Sequence, residues 1–270
     1  KVRWRTVPLF LDVFFRAILI PFQPILRLFR IYASWPSEKI KMSFSLQRHN
    51  FSSMAQLSEA FAEYASDVLG KTLQKKSFAS LVVPGGNTPR EYLPVLAKCS
   101  LPWERIVITL SDERWVDVTD EQSNENLVKK YLLDYLSQNT LFIGLKTHHD
   151  NPFTAIKEIN QRLSKLPQPS SLTVLGVGED GHIASLFPGM HFDLLATQYC
   201  VAVAPPIAPS LRVSLSLTIL GQSDHIALVV VGKVKQQLLN QLLGESIDSK
   251  LPIARLLQCA HSQIDIFTTN

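Results

Sequence analysis

The run Leu175-Gly-Val-Gly-Glu-Asp-Gly-His-Ile-Ala-Ser-Leu-Phe-Pro188 holds the densest set of residues able to do chemistry. Three glycines within six positions let the backbone bend tightly around a small ligand, and the Asp-Gly-His that follows sets Asp180 two residues from His182. The glycines give the segment no packing purpose. A neutral imidazole with its ordinary pKa of ~6.5 accepts a proton from water near neutral pH, so His182 is the expected general base.

A second glycine run, Pro84-Gly-Gly-Asn-Thr-Pro89, lies between a strand pattern and a helix pattern. Gly85, Gly86, Asn87 and Thr88 fit a phosphate cradle, in which free amides of a helix N-terminus meet an anion. They fit equally a tight turn with Asn87 or Thr88 as an ordinary N-cap, and both readings stay open. In Ser111-Asp-Glu-Arg114, Arg114 offers a planar fork suited to phosphate oxygens, and Asp112 suits a sugar hydroxyl or a nearby base. Glu113 reads as part of a solvated charged turn, and Ser123-Asn124 as a helix cap rather than a ligand contact. Arg212 and Lys235 stand near a strand boundary and a helix start; taken singly, each reads as a solvent-exposed charge. His148 and His149, beside Asp150, read as loop residues rather than metal ligands. His49, His191, His225 and His261 have no matching partners, so no metal or cofactor is expected.

The elements that must position these groups follow from periodicity. Apolar Leu57, Phe61, Tyr64 and Val68 predict a helix over 53–69, with Gly70 as its left-handed C-cap. Strand, glycine turn and helix then follow at 79–83, 84–88 and 89–98. A strand at 105–110 and a helix over 124–136 repeat the unit. A third unit starts with a strand at 172–175 and runs through the His182 loop into a short helix near Ile183. Strands at 199–204, 211–217, 226–231 and 263–267 and a helix at 233–243 complete the pattern. Strands alternating with helices predict an α/β fold, a mainly parallel, doubly wound, Rossmann-like sheet with helices on both faces and ligands at the carboxyl ends of the strands.

At 270 residues and 46% hydrophobic, the chain suits one catalytic domain, expected over 42–270. The net charge of +4 arises in residues 1–41, where eight Lys/Arg face Asp12 and Glu38; the remainder sums to −2. A fold gripping nucleic acid carries its excess across a folded face, so nucleic acid is not an expected partner. Cys99, Cys200 and Cys259 show no ligand spacing and read as small buried residues with free thiols, which fits the cytoplasm. In the leader 1–41, the longest uncharged stretch, 17–26, contains Pro21 and Pro24 and is too short for a bilayer core of ~30 Å. Upstream sequence ahead of a start at Met42 is the favoured reading. A transit-like presequence with plastid or mitochondrial import, or an interfacial segment, stays open.

Together, Gly85-Gly-Asn-Thr-Pro89, Asp112-Glu-Arg114 with Ser123-Asn124, Gly176 to Pro188, Arg212 and Gly232-x-x-Lys235 resemble the 6-phosphogluconolactonase family, related to the glucosamine-6-phosphate deaminases. The resemblance runs from about Ser53 to the C-terminus, and order and spacing agree throughout. The family usually has Ser where this chain has Asn87, which keeps a polar group but loses the hydroxyl. The resemblance implies metal-free hydrolysis of 6-phospho-D-glucono-1,5-lactone. His182 would activate water, Asp180 would orient or polarise the site, and Gly85, Gly86, Asn87, Thr88, Asp112, Arg114, Arg212 and Lys235 would hold the phosphosugar. Two alternatives are an amino-sugar-phosphate deaminase or isomerase and a non-catalytic sugar-phosphate sensor. Deaminases follow Asp-Gly-His with Ala-Phe-Asn-Glu-Pro; here Ala184-Ser-Leu-Phe-Pro188 has no carboxylate. A sensor would carry a DNA-binding helical module, which residues 1–52, broken by Pro8, Pro21, Pro24 and Pro36, do not resemble.

Overall fold

The computed structural model describes residues 45–190, 197–205, 207–244, 250–260 and 262–270. The expectations for the leader 1–41 and for His191 and His261 lie outside the described residues.

Four short apolar runs, β2 (Ala79–Val83), β3 (Ile106–Leu110), β6 (Leu172–Gly176) and β9 (His225–Val231), form the centre of one sheet. Every residue of β2 and β3 is buried, so these strands show no polar face, as expected where both sides of a parallel sheet are covered. With β1 (Leu46–Asn50), β5 (Leu141–Ile143) and β10 (Gln263–Thr269), the order is β1-β10-β9-β6-β2-β3-β5, and every neighbouring pair is parallel. From β2 the chain moves outward through β3 and β5, then returns to the other side of β2 at β6. That reversal opens a crevice beyond the carboxyl ends of β2 and β6, the place where such sheets bind ligands.

Helices flank the sheet: α1 (Met54–Lys75), α2 (Pro89–Ala97), α3 (Asn124–Tyr131), α4 (Pro152–Leu163), α5 (Leu217–Gly221), α6 (Lys233–Gly244) and α7 (Pro252–Cys259). Helix α1 starts where the Ser53 hydroxyl accepts the Gln56 N–H at 3.3 Å. It packs on α2, β2, β6 and β10 through Leu57, Phe61, Ala65, Val68 and Leu69. Gly70 does not end it. The helix continues to Lys75 because Leu73 extends the buried stripe, and that burial outweighs the ~1 kcal/mol propensity cost of an interior glycine. The segment expected as helix over 124–136 closes earlier, at Tyr131, and finishes in a single 3₁₀ turn at Leu133–Tyr135.

The sequence pattern does not reveal a second sheet. Strands β4 (Asp112–Arg114), β8 (Arg212–Leu215) and β7 (Cys200–Val203) form an antiparallel sheet in the order β4-β8-β7. β4 was expected as loop, but its three residues are drawn into register opposite β8 immediately after β3. Among the described residues no helix is long and apolar enough to cross a membrane.

Candidate active site

The loops after β2, β3, β6 and β9 meet in one cleft. It is lined by the 84–89 glycine turn, by Asp112 and Arg114, by Gly176–Gly178 and His182, by Arg212 from β8, and by Lys235 from the first turn of α6. All ten residues singled out in the sequence fall in this region, and all but Asp180 line the cleft directly. Asp180 stands behind His182.

The loop after β6 is built around its imidazole. The backbone closes on itself where Gly178 N–H donates to His182 O at 2.9 Å and Gly181 N–H to Gly178 O at 3.0 Å. Position 178 must be glycine for this approach, because a Cβ there would lie 2.1 Å from His182 Nδ1. Asp180 Oδ1 lies 2.6 Å from His182 Nδ1 and also accepts the His182 backbone N–H at 3.1 Å. A carboxylate only accepts, so this contact places the ring proton on Nδ1 and the lone pair on Nε2. Burial alone would raise the Asp180 pKa, but the His182 N–H, ring and charge together hold it below the ordinary carboxylate range. Nε2 has no partner among the described residues. The ring is 32% exposed and stacks on Phe187, centroids 4.6 Å apart.

The short helix expected near Ile183 is absent. Ile183 and Leu186 instead pair across a tight turn, with Ile183 N–H to Leu186 O at 3.3 Å and the reverse bond at 2.9 Å. Pro188 leaves too few residues for a helix, and the Ser185 hydroxyl is captured by Asp112 Oδ2 at 2.6 Å. Asp112 is buried and also accepts from the Ser111 hydroxyl at 2.9 Å. Its carboxylate therefore ties the β3 loop to the His182 loop; among the described residues it makes no bond to the imidazole.

Glu113 overturns the expectation of a solvated turn. Its side chain is fully buried and accepts the N–H of Arg114 at 2.8 Å and those of Asn124 and Glu125 at 2.7 Å each, with the Ser123 hydroxyl at 3.1 Å. A carboxylate there serves the unpaired amides at the start of α3, which favour a negative group. Burial pushes its pKa up to about 7 against those backbone bonds, and the Asp112 charge adds to the rise.

Ser123 is the cap of α3, accepting the Asn126 N–H at 3.1 Å, whereas Asn124 faces the cleft. Its Nδ2 donates to Asp112 O at 2.9 Å and its Oδ1 accepts from Arg114 Nη1 at 2.7 Å. The sequence reading missed this role because a residue beside a cap has no distinctive pattern. Gly85 is needed for the same reason as Gly178: its Cβ would fall 1.8 Å from Asn124 Oδ1. In the 84–89 turn, Thr88 directly precedes α2 and makes no capping side-chain bond.

Arg114 and Arg212 are direct cross-strand partners on β4 and β8. Like charges in that register repel. Arg212, read singly as a surface charge, is buried to 6% exposure, with Nε donating to Pro209 O at 3.0 Å and the guanidinium 5.5 Å over the Phe187 ring. Burial first, and Arg114 second, lower its pKa. Arg114 keeps a buried Nε with no partner among the described residues. Two adjacent cations, one with an orphan donor, thus share one cleft with a glycine turn, Lys235 and an oriented imidazole, an arrangement chemically suited to an anion. The three cysteines are free and none lines the cleft; Cys200 is buried as expected, whereas Cys99 and Cys259 are only half-buried.

Residues 52–266 match the family described as glucosamine-6-phosphate isomerases/6-phosphogluconolactonase. A 6-phosphogluconolactonase of Pseudomonas putida is 31% identical over 234 residues, covering 85% of this chain and 95% of the relative. One from Caulobacter vibrioides is 34% identical, covering 80% and 94%. The crystal structure of a 6-phosphogluconolactonase from Shewanella baltica superposes with a TM-score of 0.79 at 32% identity, covering 85% of this chain and all of that one. With matched sequence spanning most of its length and a fold of the same kind, the chain belongs to the glucosamine-6-phosphate isomerase/6-phosphogluconolactonase family.

Proposed function

We propose that residues 42–270 act as one catalytic domain that hydrolyses 6-phospho-D-glucono-1,5-lactone to 6-phosphogluconate, the second step of the oxidative pentose phosphate pathway. The observation that carries this reading is the cross-strand Arg114–Arg212 pair in the same cleft as an imidazole oriented by Asp180. The cation pair suits a phosphate at one end of a small sugar acid, and the imidazole suits water attack at the other.

In the proposed reaction, His182 Nε2 takes a proton from water and the hydroxide forms a bond to the lactone carbonyl carbon. The tetrahedral intermediate collapses by breaking the bond from that carbon to the ring oxygen, which receives the proton back from the imidazolium. Asp180 stabilises the imidazolium and holds the reactive tautomer. Positioned general-base catalysis of this kind contributes ~10²–10⁴-fold, sufficient for an already reactive lactone. Arg114, Arg212, Lys235 and the amides of Gly85, Gly86, Asn87 and Thr88 bind the phosphate, and that remote grip holds the carbonyl against the base.

Deaminases place a glutamate where this chain has Phe187, and here that ring stacks on His182. No carboxylate is available there for ring opening, which disfavours the amino-sugar reading. We place the enzyme in a reducing compartment such as the cytoplasm. Supporting this, all three thiols are unpaired and burial pushes Cys200 up to about 12.

The test is His182→Ala assayed for lactone loss above the spontaneous rate, beside a glucosamine-6-phosphate deamination assay of the parent. The variant should lose nearly all lactonase activity and keep its affinity for 6-phosphogluconate. Parental lactonase rates in the variant, or deamination outpacing lactone loss in the parent, would overturn the assignment.

A further inference from the structure

Away from the cleft, the loop between β5 and α4 brings two adjacent histidines against the helix. His148 Nδ1 lies 3.9 Å and His149 Nδ1 3.5 Å from the same oxygen, Glu158 Oε2, and the two rings stand 4.4 Å apart at 32°. The donor atoms of all three residues lie within 4.8 Å of one another. Neighbouring histidines have no ligand spacing of their own; the third donor arrives only because α4 turns Glu158 toward them.

We infer that His148, His149 and Glu158 form a surface site for one borderline divalent transition metal of the zinc or nickel type. Two imidazole nitrogens and one carboxylate oxygen match the preference of these ions, and three protein ligands leave positions for water. The outer contacts suit the role. Arg162 holds Glu158 Oε1 at 2.5 Å, leaving Oε2 directed at the imidazoles, and also donates to Lys146 O at 3.0 Å. Groups that orient ligands in this way are the usual support of a metal site. His148, 82% exposed, is free to turn onto an ion, while His149 Nδ1 would exchange its 3.0 Å contact with Thr147 Oγ1 for the metal.

The site also has a built-in reporter. Trp115 Nε1 donates to His149 O at 3.1 Å, and Lys146 Nζ bonds the same carbonyl at 3.2 Å while lying 4.1 Å from the Trp115 ring centroid. Trp115 directly follows Arg114 on the chain, so an ion fixing His149 bears on the end of β4.

The experiment titrates the chelator-treated full chain with Zn²⁺ by calorimetry and with Ni²⁺ by tryptophan fluorescence. The variants are His148→Ala, His149→Ala, Glu158→Gln and His182→Ala. One zinc per chain is expected, weakened at least about tenfold by each of the first three changes and untouched by His182→Ala, with Ni²⁺ quenching lost in His148→Ala. His148 is mostly exposed, so its variant keeps the fold. Parental zinc affinity in His148→Ala and His149→Ala, loss in His182→Ala alone, or no saturable binding would each overturn the inference. The proposed lactonase activity plays no part in these readouts, so either conclusion can fail without the other.

Discussion

Gly178→Ala isolates the placement of the base from its chemistry. A methyl at 178 would sit 2.1 Å from His182 Nδ1, 2.2 Å from Cε1 and 2.7 Å from Asp180 Oδ1. Restoring an ordinary contact of ~3.4 Å drives the ring back by about 1.3 Å and separates it from Asp180. The obstructed atoms belong to a partly exposed side chain, so the ring swings while the backbone holds, and stability should change little. A displacement near 1 Å costs on the order of 10²-fold in rate, or about 2.7 kcal/mol of barrier. Lactone hydrolysis releases acid, so a pH-stat gives kcat and KM directly. The expected result is kcat down about 10²-fold with KM within a few-fold, because the Arg114 and Arg212 contacts are untouched. Gly70→Ala, in α1 and away from the cleft, is the matched control: its Cβ meets nothing within 4 Å. A kcat for Gly178→Ala within threefold of parent, with an intact fold, would refute the claim that this glycine sets the base.

Inorganic phosphate or 6-phosphogluconate should relieve the Arg114–Arg212 repulsion. At 100 times Kd the gain is about 2.7 kcal/mol, or roughly 5–10 °C in Tm. Arg114→Ala should shrink that shift and raise KM roughly 10- to 100-fold, the loss of one charge-assisted bond; an unchanged KM removes Arg114 from the site. Glu113 provides a pH test. Its folded pKa of about 7 exceeds the unfolded carboxylate value, so the folded state holds the extra proton between roughly pH 4.5 and 7. The stability tied to that proton is full below about pH 4.5 and is lost as pH rises through 7, up to about 3 kcal/mol. Glu113→Gln should flatten that part of the stability profile in chemical denaturation relative to parent; parallel profiles would show that Glu113 stays ionised in the fold throughout.

Legibility in the sequence varied with how local the cause was. The β2 and β3 runs and the helix from Pro89 were readable because burial on both faces leaves continuous apolar residues, and Pro at a helix start is a local signal. Helix α4 was not among the expected elements although its marks are just as local, with the Asn151 cap accepting the Phe153 N–H, Pro152 at its first position, and Ala155, Ile159 and Leu163 on one face. β1 did not: Leu-Gln-Arg-His-Asn is mostly polar, and only pairing with β10 makes it a strand. Glu113 was misread for a related reason. A charged residue in a charged run looks solvated until a helix N-terminus eleven residues later supplies its amides.

Residue types and spacing alone determined the candidate base, the glycine turns and the family to which the chain belongs, because backbone freedom and proton affinity are properties of short segments. Only the tertiary structure decided that Arg114 and Arg212 stand side by side, that Asn124 rather than Ser123 enters the cleft, and that Asp112 secures a loop rather than the imidazole. Those outcomes depend on register between strands about a hundred residues apart and on which buried donors find acceptors. Such pairings are settled by packing the whole chain, and no single segment contains them.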